Sequence, residues 1–389
     1  VSLPASMSRG TAMMQLEQVD VRYLKIPFNV VFRHASAERN STATIWLEAH
    51  GASGETGLGE SCPRTYVTGE TLEGAAEFIA TQTAAVRSGV HDIRTLRDWV
   101  SGHASLIDRH PAAWCALELA LLDLLGRELQ KPVEALLGLV PVRGPFHYTA
   151  VLGDSNLSTF RKQQARYLQA GFSDFKVKLS GRPGHDRDKL ALFDGEDGEG
   201  ARLRLDANNL WHDWRVAADY LGRLPGTFTG IEEPLAANDY PGMASLYRET
   251  GIPVILDESL LRAAQVADLA DDVVWRINLR VSKMGGLLRS MDVLDAARQR
   301  GIRVIVGAQV GETSLLTRAA MTLAAAAGDL LEAQEGGFGT HLLSRDICEP
   351  VLMFGPAGRI EEEAVRFTGQ AGFGLVRAGD TDELLSRVR

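Results

Sequence analysis

Apolar and polar residues alternate at period two in QLEQVDVRYLKIPF and TATIWLEAHG, which predicts two early strands joined by a polar loop. GLGES follows as a short third strand after the Gly-rich turn at residues 51–57. No helix opens directly behind the glycines of GASGETGLGE, so they read as a hairpin turn and not as a phosphate loop. The period then lengthens. TLEGAAEFIATQTAAVRSG, HDIRTLRDWVSGH and PAAWCALELALLDLLGRELQ repeat apolar residues at three and four, with Thr71 and Pro111 suited to helix starts. Segment 112–130 is apolar almost all round, which predicts burial between two layers. Residues 14–140 therefore read as one α+β unit.

From Phe146 onward the pattern becomes strand, helix, strand, helix. Short apolar strands are predicted at FHYTAVLG, FKVKLS, RLRLDAN, TGIEEP, PVILDES, WRINLRVSK, RVIVGAQ and LLEAQE. Amphipathic stretches such as LSTFRKQQARYLQAGF, WRVAADYLGRL and LLRSMDVLDAARQRG separate them. Eight strands in about 190 residues, each followed by a helix, favour a (β/α) barrel over residues 145–344. The remainder, 345–389, is mixed and is expected to pack back on the first unit. Residues 1–13 read as a loose N-terminal extension.

Ionisable residues punctuate the barrel strands. Lys176 and Lys178 close the second, Asp206 and Asn208 the third, and Glu232 and Glu233 the fourth. Asp257 and Glu258 close the fifth, and Lys283 follows the sixth. From 178 to 206 is 28 residues, to 232 another 26, to 257 another 25 and to 283 another 26. Gln309 and Glu335 each continue the series at 26. One β/α unit has about that length, so these side chains should ring the C-terminal rim, where such barrels hold active sites.

Composition narrows the chemistry. The 389 residues are 45% hydrophobic and 23% charged, which excludes wholesale disorder. A net charge of −9 argues against a nucleic-acid or anionic-membrane surface. No apolar run approaches the roughly 20 residues of a membrane span, and the first residues lack a secretion signal, so a cytoplasmic location is expected. Cys62, Cys115 and Cys348 lie far apart, with no thiolate zinc spacing. Asp206, Glu232 and Asp257 instead offer hard oxygen ligands suited to Mg2+, or to Mn2+. The lysines would face each other across such a cation. Lys176 and Lys178 share one strand face, so each is expected to depress the other's pKa.

KVK, DAN, IEEP, LDES and SKMGG, in this order and spacing, resemble the muconate-lactonizing subgroup of the enolase superfamily. The resemblance implies a (β/α)7β TIM-like barrel under an N-terminal α+β capping domain, completed by the C-terminal segment. It implies that Asp206, Glu232 and Asp257 hold Mg2+, and that Lys178 and Lys283 are acid and base on opposite faces of the substrate. Lys176 would be the electrostatic partner of Lys178, and Asn208 a substrate contact. Within the pairs 232–233 and 257–258, the family pattern selects the first residue. The implied reaction removes the proton α to a small-molecule carboxylate through a metal-stabilised enediolate. Two lysines permit racemisation, epimerisation or cycloisomerisation, with an amino-acid derivative or dipeptide among the substrates implied. An acid-sugar dehydratase, or β-elimination like that of o-succinylbenzoate synthases, is the alternative on the same site. A binding protein that keeps the fold without catalysis is the alternative of another class. The resemblance further implies a homo-oligomer, from dimer to octamer.

Two capping loops are expected to close the distal part of the pocket, NVVFRHASAERN (29–40) and CPRTYVTGE (62–70). Phe32, Arg33, His34, Arg64 and Tyr66 are their candidate contacts, with the arginines able to receive an anionic group. Gln309, Glu312 and Glu335 are further candidates from the rim. Glu312 either caps the following helix or reaches the site; Glu335 either meets substrate or is a solvated strand end. Dipeptide epimerases generally carry Asp-x-Asp after the last strand, where this chain has Glu335-Gly336-Gly337, with Glu332 or Glu335 as the nearest substitutes. His341 reads as structural, and no histidine stands at the end of strand seven.

Overall fold

Two large sheets organise the chain. The computed structural model describes residues 14–34, 37–194, 198, 200–337 and 342–388, with side chains described for all of these except 30–38. The N-terminal sheet uses β1 (Leu16–Leu24), β4 (Thr44–Gly51) and β5 (Thr56–Ser61), all antiparallel. The stretch expected as one long strand breaks after Leu24. There the Thr42 hydroxyl accepts from the Ile26 amide at 2.8 Å and donates to the Leu24 carbonyl at 2.9 Å, pinning a corner. The chain beyond it, expected as a loop, is a two-stranded hairpin of β2 (Pro27–His34) and β3 (Ala37–Ser41).

Helix α1 (Leu72–Gly89) starts at Thr71, whose hydroxyl accepts from the Gly74 amide, and α2 (Ile93–Gly102) starts at an Asp92–Thr95 capping box. The nearly all-apolar stretch is α3 (Pro111–Glu128), buried from Pro111 to Gly126. It lies so close to β5 that a Cβ on Gly57 would stand 2.1 Å from the Ala120 carbonyl oxygen, and one on Gly59 2.0 Å from that of Ala116. The glycines of GLGES are therefore required for helix-on-sheet contact.

The barrel sheet holds eight parallel strands in sequence order. They are β6 (Ala150–Leu152), β7 (Asp174–Lys178), β8 (Arg202–Asp206), β9 (Gly230–Glu232), β10 (Val254–Leu256), β11 (Trp275–Leu279), β12 (Arg303–Val306) and β13 (Leu331–Gln334). The Thr149 amide donates to the Gln334 carbonyl at 2.7 Å, joining the first and last staves. Six helices follow successive strands: α4 (Leu157–Gln169), α5 (Pro183–Leu190), α6 (Trp214–Leu221), α7 (Tyr240–Thr250), α8 (Leu287–Gln299) and α9 (Ser314–Ala327). Between β10 and β11 the connection is a 3-10 stretch, Ala263–Asp268, instead of an α-helix. FHYTAVLG also divides: Phe146–His147 leaves the barrel sheet and pairs with Arg359–Ile360.

Parallel strands are usually apolar on both faces. Here Asp174, Lys176 and Lys178, then Arg202, Arg204 and Asp206, then Arg276, Asn278 and Arg280 alternate with apolar residues. The apolar set, including Phe175, Val177, Leu205, Ile277 and Leu279, is fully buried, and the polar set takes the opposite face, where Lys176, Arg204, Asp206 and Asn278 are buried.

Cap and barrel are joined by buried carboxylates. Glu60, from β5, accepts from the Thr313 and Leu316 amides at the start of α9, and Glu118, from α3, accepts from the Leu288 amide at the start of α8. The chain's last described strand, β14 (Leu385–Arg387), lies antiparallel to β1, with Arg22 opposite Arg387. Among the described residues no helix is long and apolar enough to cross a membrane.

Candidate active site

Asp206 and Glu232 end neighbouring strands and stand opposite each other in register; Asp257 follows directly after β10. All three are buried. Lys178 and Lys283 flank this arc from its two ends. The Lys178 Nζ lies 3.0 Å from Asp206 Oδ2 and donates to Asn208 Oδ1 at 2.8 Å. Lys283 sits in a helical turn, Val281–Met284, and is fully buried. Its Nζ donates to Asp257 Oδ1 at 2.8 Å, to the Asp257 carbonyl at 2.6 Å and to the Asn278 carbonyl at 2.8 Å. Burial opposes the charge on Asp257, but Arg280 and Lys283 bring its carboxyl down to about 2. Asp206 is likewise lowered, Lys178 and Lys176 outweighing burial.

Lys176 corrects one expectation. Its Nζ lies 2.7 Å from Glu335 Oε2, 3.2 Å from Glu232 Oε1 and 3.8 Å from Asp206 Oδ2. Burial disfavours the ammonium, yet these three carboxylates outweigh burial and raise its pKa above that of an ordinary lysine. It is a fixed positive charge: the depression of its pKa expected from the neighbouring lysine is overridden by the surrounding acids.

Glu335 is therefore no solvated strand end; it is buried between Lys176 and Arg204, whose Nη2 approaches its Oε1 at 3.5 Å. Glu332 is paired with Arg276 and Arg303, so neither glutamate is left unpaired to stand in for Asp-x-Asp. Glu312 does not cap α9, because Glu60 holds that position. Its Oε1 accepts from the Gln309 amide at 2.7 Å, and burial pushes its carboxyl up to about 7, with Arg280 and Arg64 near enough to moderate this. Gln309 is buried with its Oε1 unpartnered. Asn208 holds a left-handed φ of 46°, which asparagine tolerates, and its amide donates to Asp206 Oδ1.

Arg64 was a candidate to receive an anionic substrate group, and the structure engages both of its terminal nitrogens elsewhere. Its side chain is buried and donates at 2.7 Å to the carbonyls of Ala43, Pro63 and Val310. Three backbone acceptors tie it to the cap and to the loop after β12. Tyr66 lies on the turn after β5 and is 37% exposed. The side chains of Phe32, Arg33 and His34, and the whole of His341, fall outside the described residues.

Several residues at the site were missed. Arg280 closes the arc, its guanidinium against Asp257 and 3.5 Å from Glu232 Oε1. Asn278 donates to Glu232 Oε2 at 3.3 Å. Both were signalled by the period-two polar run Arg276, Asn278, Arg280 inside a strand expected to be apolar. Glu233 turns the other way from Glu232. Its carboxylate accepts from the Asp257 amide at 2.6 Å, the Ser259 amide at 2.8 Å and the Ser259 hydroxyl at 2.7 Å, fixing the end of β10. Glu258 stays near the arc, where burial and Asp257 push its carboxyl up to about 8.

The donor set suits a divalent cation in chemistry and in surplus of acceptors. Three carboxylates end adjacent strands, and buried oxygens of Glu258 and Asn278 near them have no hydrogen-bond donor. Among the described residues no three acids converge on one point, because lysines and Arg280 hold their oxygens.

An acid arc at the C-terminal rim of a parallel barrel, flanked by two lysines and covered by an α+β cap, defines an enzyme-like site. Residues 159–376 match the family model described as enolase C-terminal domain-like, and the chain belongs to that family. It is 27% identical over 331 residues to a hydrophobic dipeptide epimerase of Enterococcus faecalis, covering 82% of this chain and 90% of that one. It is 26% identical to a chloromuconate cycloisomerase of Pseudomonas putida over 79% of this chain and 84% of the relative. The fold matches the Enterococcus faecalis dipeptide epimerase solved with Mg and the dipeptide L-Leu-L-Tyr, with a TM-score of 0.79 at 23% identity, covering 94% and 100% of the two chains. These relatives are isomerases, the class expected from the motifs.

Proposed function

We propose that this protein is an Mg2+-dependent isomerase that removes the proton α to a substrate carboxylate and returns one to the same carbon, racemising or epimerising an amino-acid derivative or dipeptide. The observation that carries this reading is the pair Lys178 and Lys283, held on opposite flanks of the Asp206–Glu232–Asp257 arc and each ion-paired to its outer member. Asp206, Glu232 and Asp257 are the residues to hold the cation, which supplies Lewis-acid neutralisation of the charge gathering on the carboxylate as the proton leaves.

The side chains do the rest. A neutral lysine amine takes the α-proton from one face, and the ammonium of the other lysine delivers a proton to the opposite face. The two exchange parts with the handedness of the substrate. Lys176 and Arg280 move no proton; they are fixed positive charges beside the developing negative charge, preorganised by Glu335, Glu232 and Asp257. Asn208 holds the Lys178 Nζ at the end of its strand.

The test is to screen dipeptides and N-acylamino acids with Mg2+ in D2O, following α-deuteration by mass spectrometry and optical rotation by polarimetry. Wild-type protein is expected to wash deuterium into the α position and invert it. Replacing both Lys178 and Lys283 by alanine should lower exchange at least about 1000-fold, within the range lost with general acid–base groups. Surviving exchange in that variant would refute the assignment.

A further inference from the structure

A second buried lysine–carboxylate pair stands behind Lys178, outside the arc. Lys189 and Asp186 are both on α5, with side chains wholly buried and 2.7 Å between Lys189 Nζ and Asp186 Oδ1. The Lys189 ammonium also donates to the backbone carbonyl of Lys178 at 2.7 Å. The Asp186 carboxylate accepts from the Ser180 amide at 2.9 Å, from the Ser180 hydroxyl at 2.9 Å and from the Tyr220 hydroxyl on α6. One partner thus grips residue 178 and the other grips residue 180. Between them the Leu179 amide donates to the Asp206 carbonyl at 2.8 Å. The three residues that leave β7 are held on both sides.

Stability alone does not explain this arrangement. Removing two charges from water costs several kcal/mol per ion, and apolar replacements of a buried pair are often neutral or stabilising. A reacting amine, by contrast, must be held to within about 0.5 Å by supports that are themselves fixed. Asp154 adds a weaker contact, 3.4 Å from Lys189 Nζ, at the edge of the same cluster. Lys283 has a separate support, the carbonyls of Asp257 and Asn278, which this cluster does not touch.

We propose that Lys189 and Asp186 are positioning residues for Lys178 alone, clamping its strand end so that its amine stays against Asp206 and Asn208. This rests on the assignment of Lys178 as an acid–base group, and the test separates the two. The double variant Lys189→Met/Asp186→Asn removes both charges and leaves no buried ion unpaired. Trace labelling of the full chain with acetic anhydride, read by peptide mass spectrometry, reports on each lysine without any substrate. Acetylation of Lys178 should rise at least about 5-fold over wild type while that of Lys283 stays within about 2-fold. An unchanged Lys178, or an equal rise at both lysines, overturns the proposal. Should the double variant not fold, Asp186→Asn alone is held to the same criterion at about 2-fold. With any compound that wild type exchanges in D2O, the two enantiomers supply the second readout. Exchange of the enantiomer deprotonated by Lys178 should fall at least about 10-fold, and exchange of the other less than about 2-fold. Equal losses would mean general damage and reject the clamp. If wild type exchanges no compound, the isomerase reading fails, and the labelling result still decides the clamp.

Discussion

Arg64 shows how far a side chain's surroundings decide its role. A loop arginine beside a presumed pocket reads from sequence as an anion receptor, but its donors reach three backbone carbonyls instead. Arg64→Met should therefore destabilise the protein by about 2–4 kcal/mol, because hydrogen bonds to a charged group are lost and buried carbonyls are left unpaired. Urea unfolding measures this, and the preference for anionic over neutral substrates should not change. A stable variant with altered charge preference would return Arg64 to the pocket. The arc itself was legible: Lys178, Asp206, Glu232, Asp257 and Lys283 repeat at the length of a β/α unit, so spacing alone places them on one rim. Arg280 was not legible in that way, since it falls outside the repeat and its role depends on meeting Asp257 at the neighbouring strand end. The contact of Lys189 with a main-chain carbonyl leaves no mark in residue type or spacing.

At the scale of elements, strand and helix periods were readable wherever one face is apolar. The β2–β3 hairpin was missed because NVVFRHASAERN has no Asn-Gly or Asp-Gly turn and little alternation. The corner before it depends on one hydroxyl, Thr42, from a strand connection away in sequence. GLGES was legible as a strand, but the reason for its glycines was not, since that lies in the approach of α3. Gly59→Ala should cost about 1–3 kcal/mol, because the new methyl would meet the Ala116 carbonyl at 2.0 Å, backbone that cannot swing aside. Gly102→Ala is the control: nothing stands within 4 Å of its added Cβ in α2, and stability should rise by about 0.4–1 kcal/mol. Thermal unfolding of the two variants separates crowding from a general effect of glycine replacement.

For the whole molecule, the union of cap and barrel makes stability depend on pH. Burial pushes the Glu60 carboxyl from an ordinary 4.5 up to about 8, and Glu118 up to about 7. Between about 4.5 and 8 the folded state keeps protons that the unfolded chain has released, so stability falls as pH rises through that window. Each such proton contributes a slope of up to about 1.4 kcal/mol per pH unit. In Glu60→Gln, urea unfolding at pH 5 and at pH 8 should show a shallower decline than wild type, and identical declines would refute the assignment. The pairing of β14 with β1 carries a consequence for how the protein is made. Arg22 waits for Arg387, so at roughly 5–20 residues per second the ribosome leaves the edge of β1 unpartnered for on the order of tens of seconds. Throughout that interval an open strand edge is available to other nascent chains. Synthesis itself thus leaves the four-stranded cap sheet open until Leu385–Arg387 emerge.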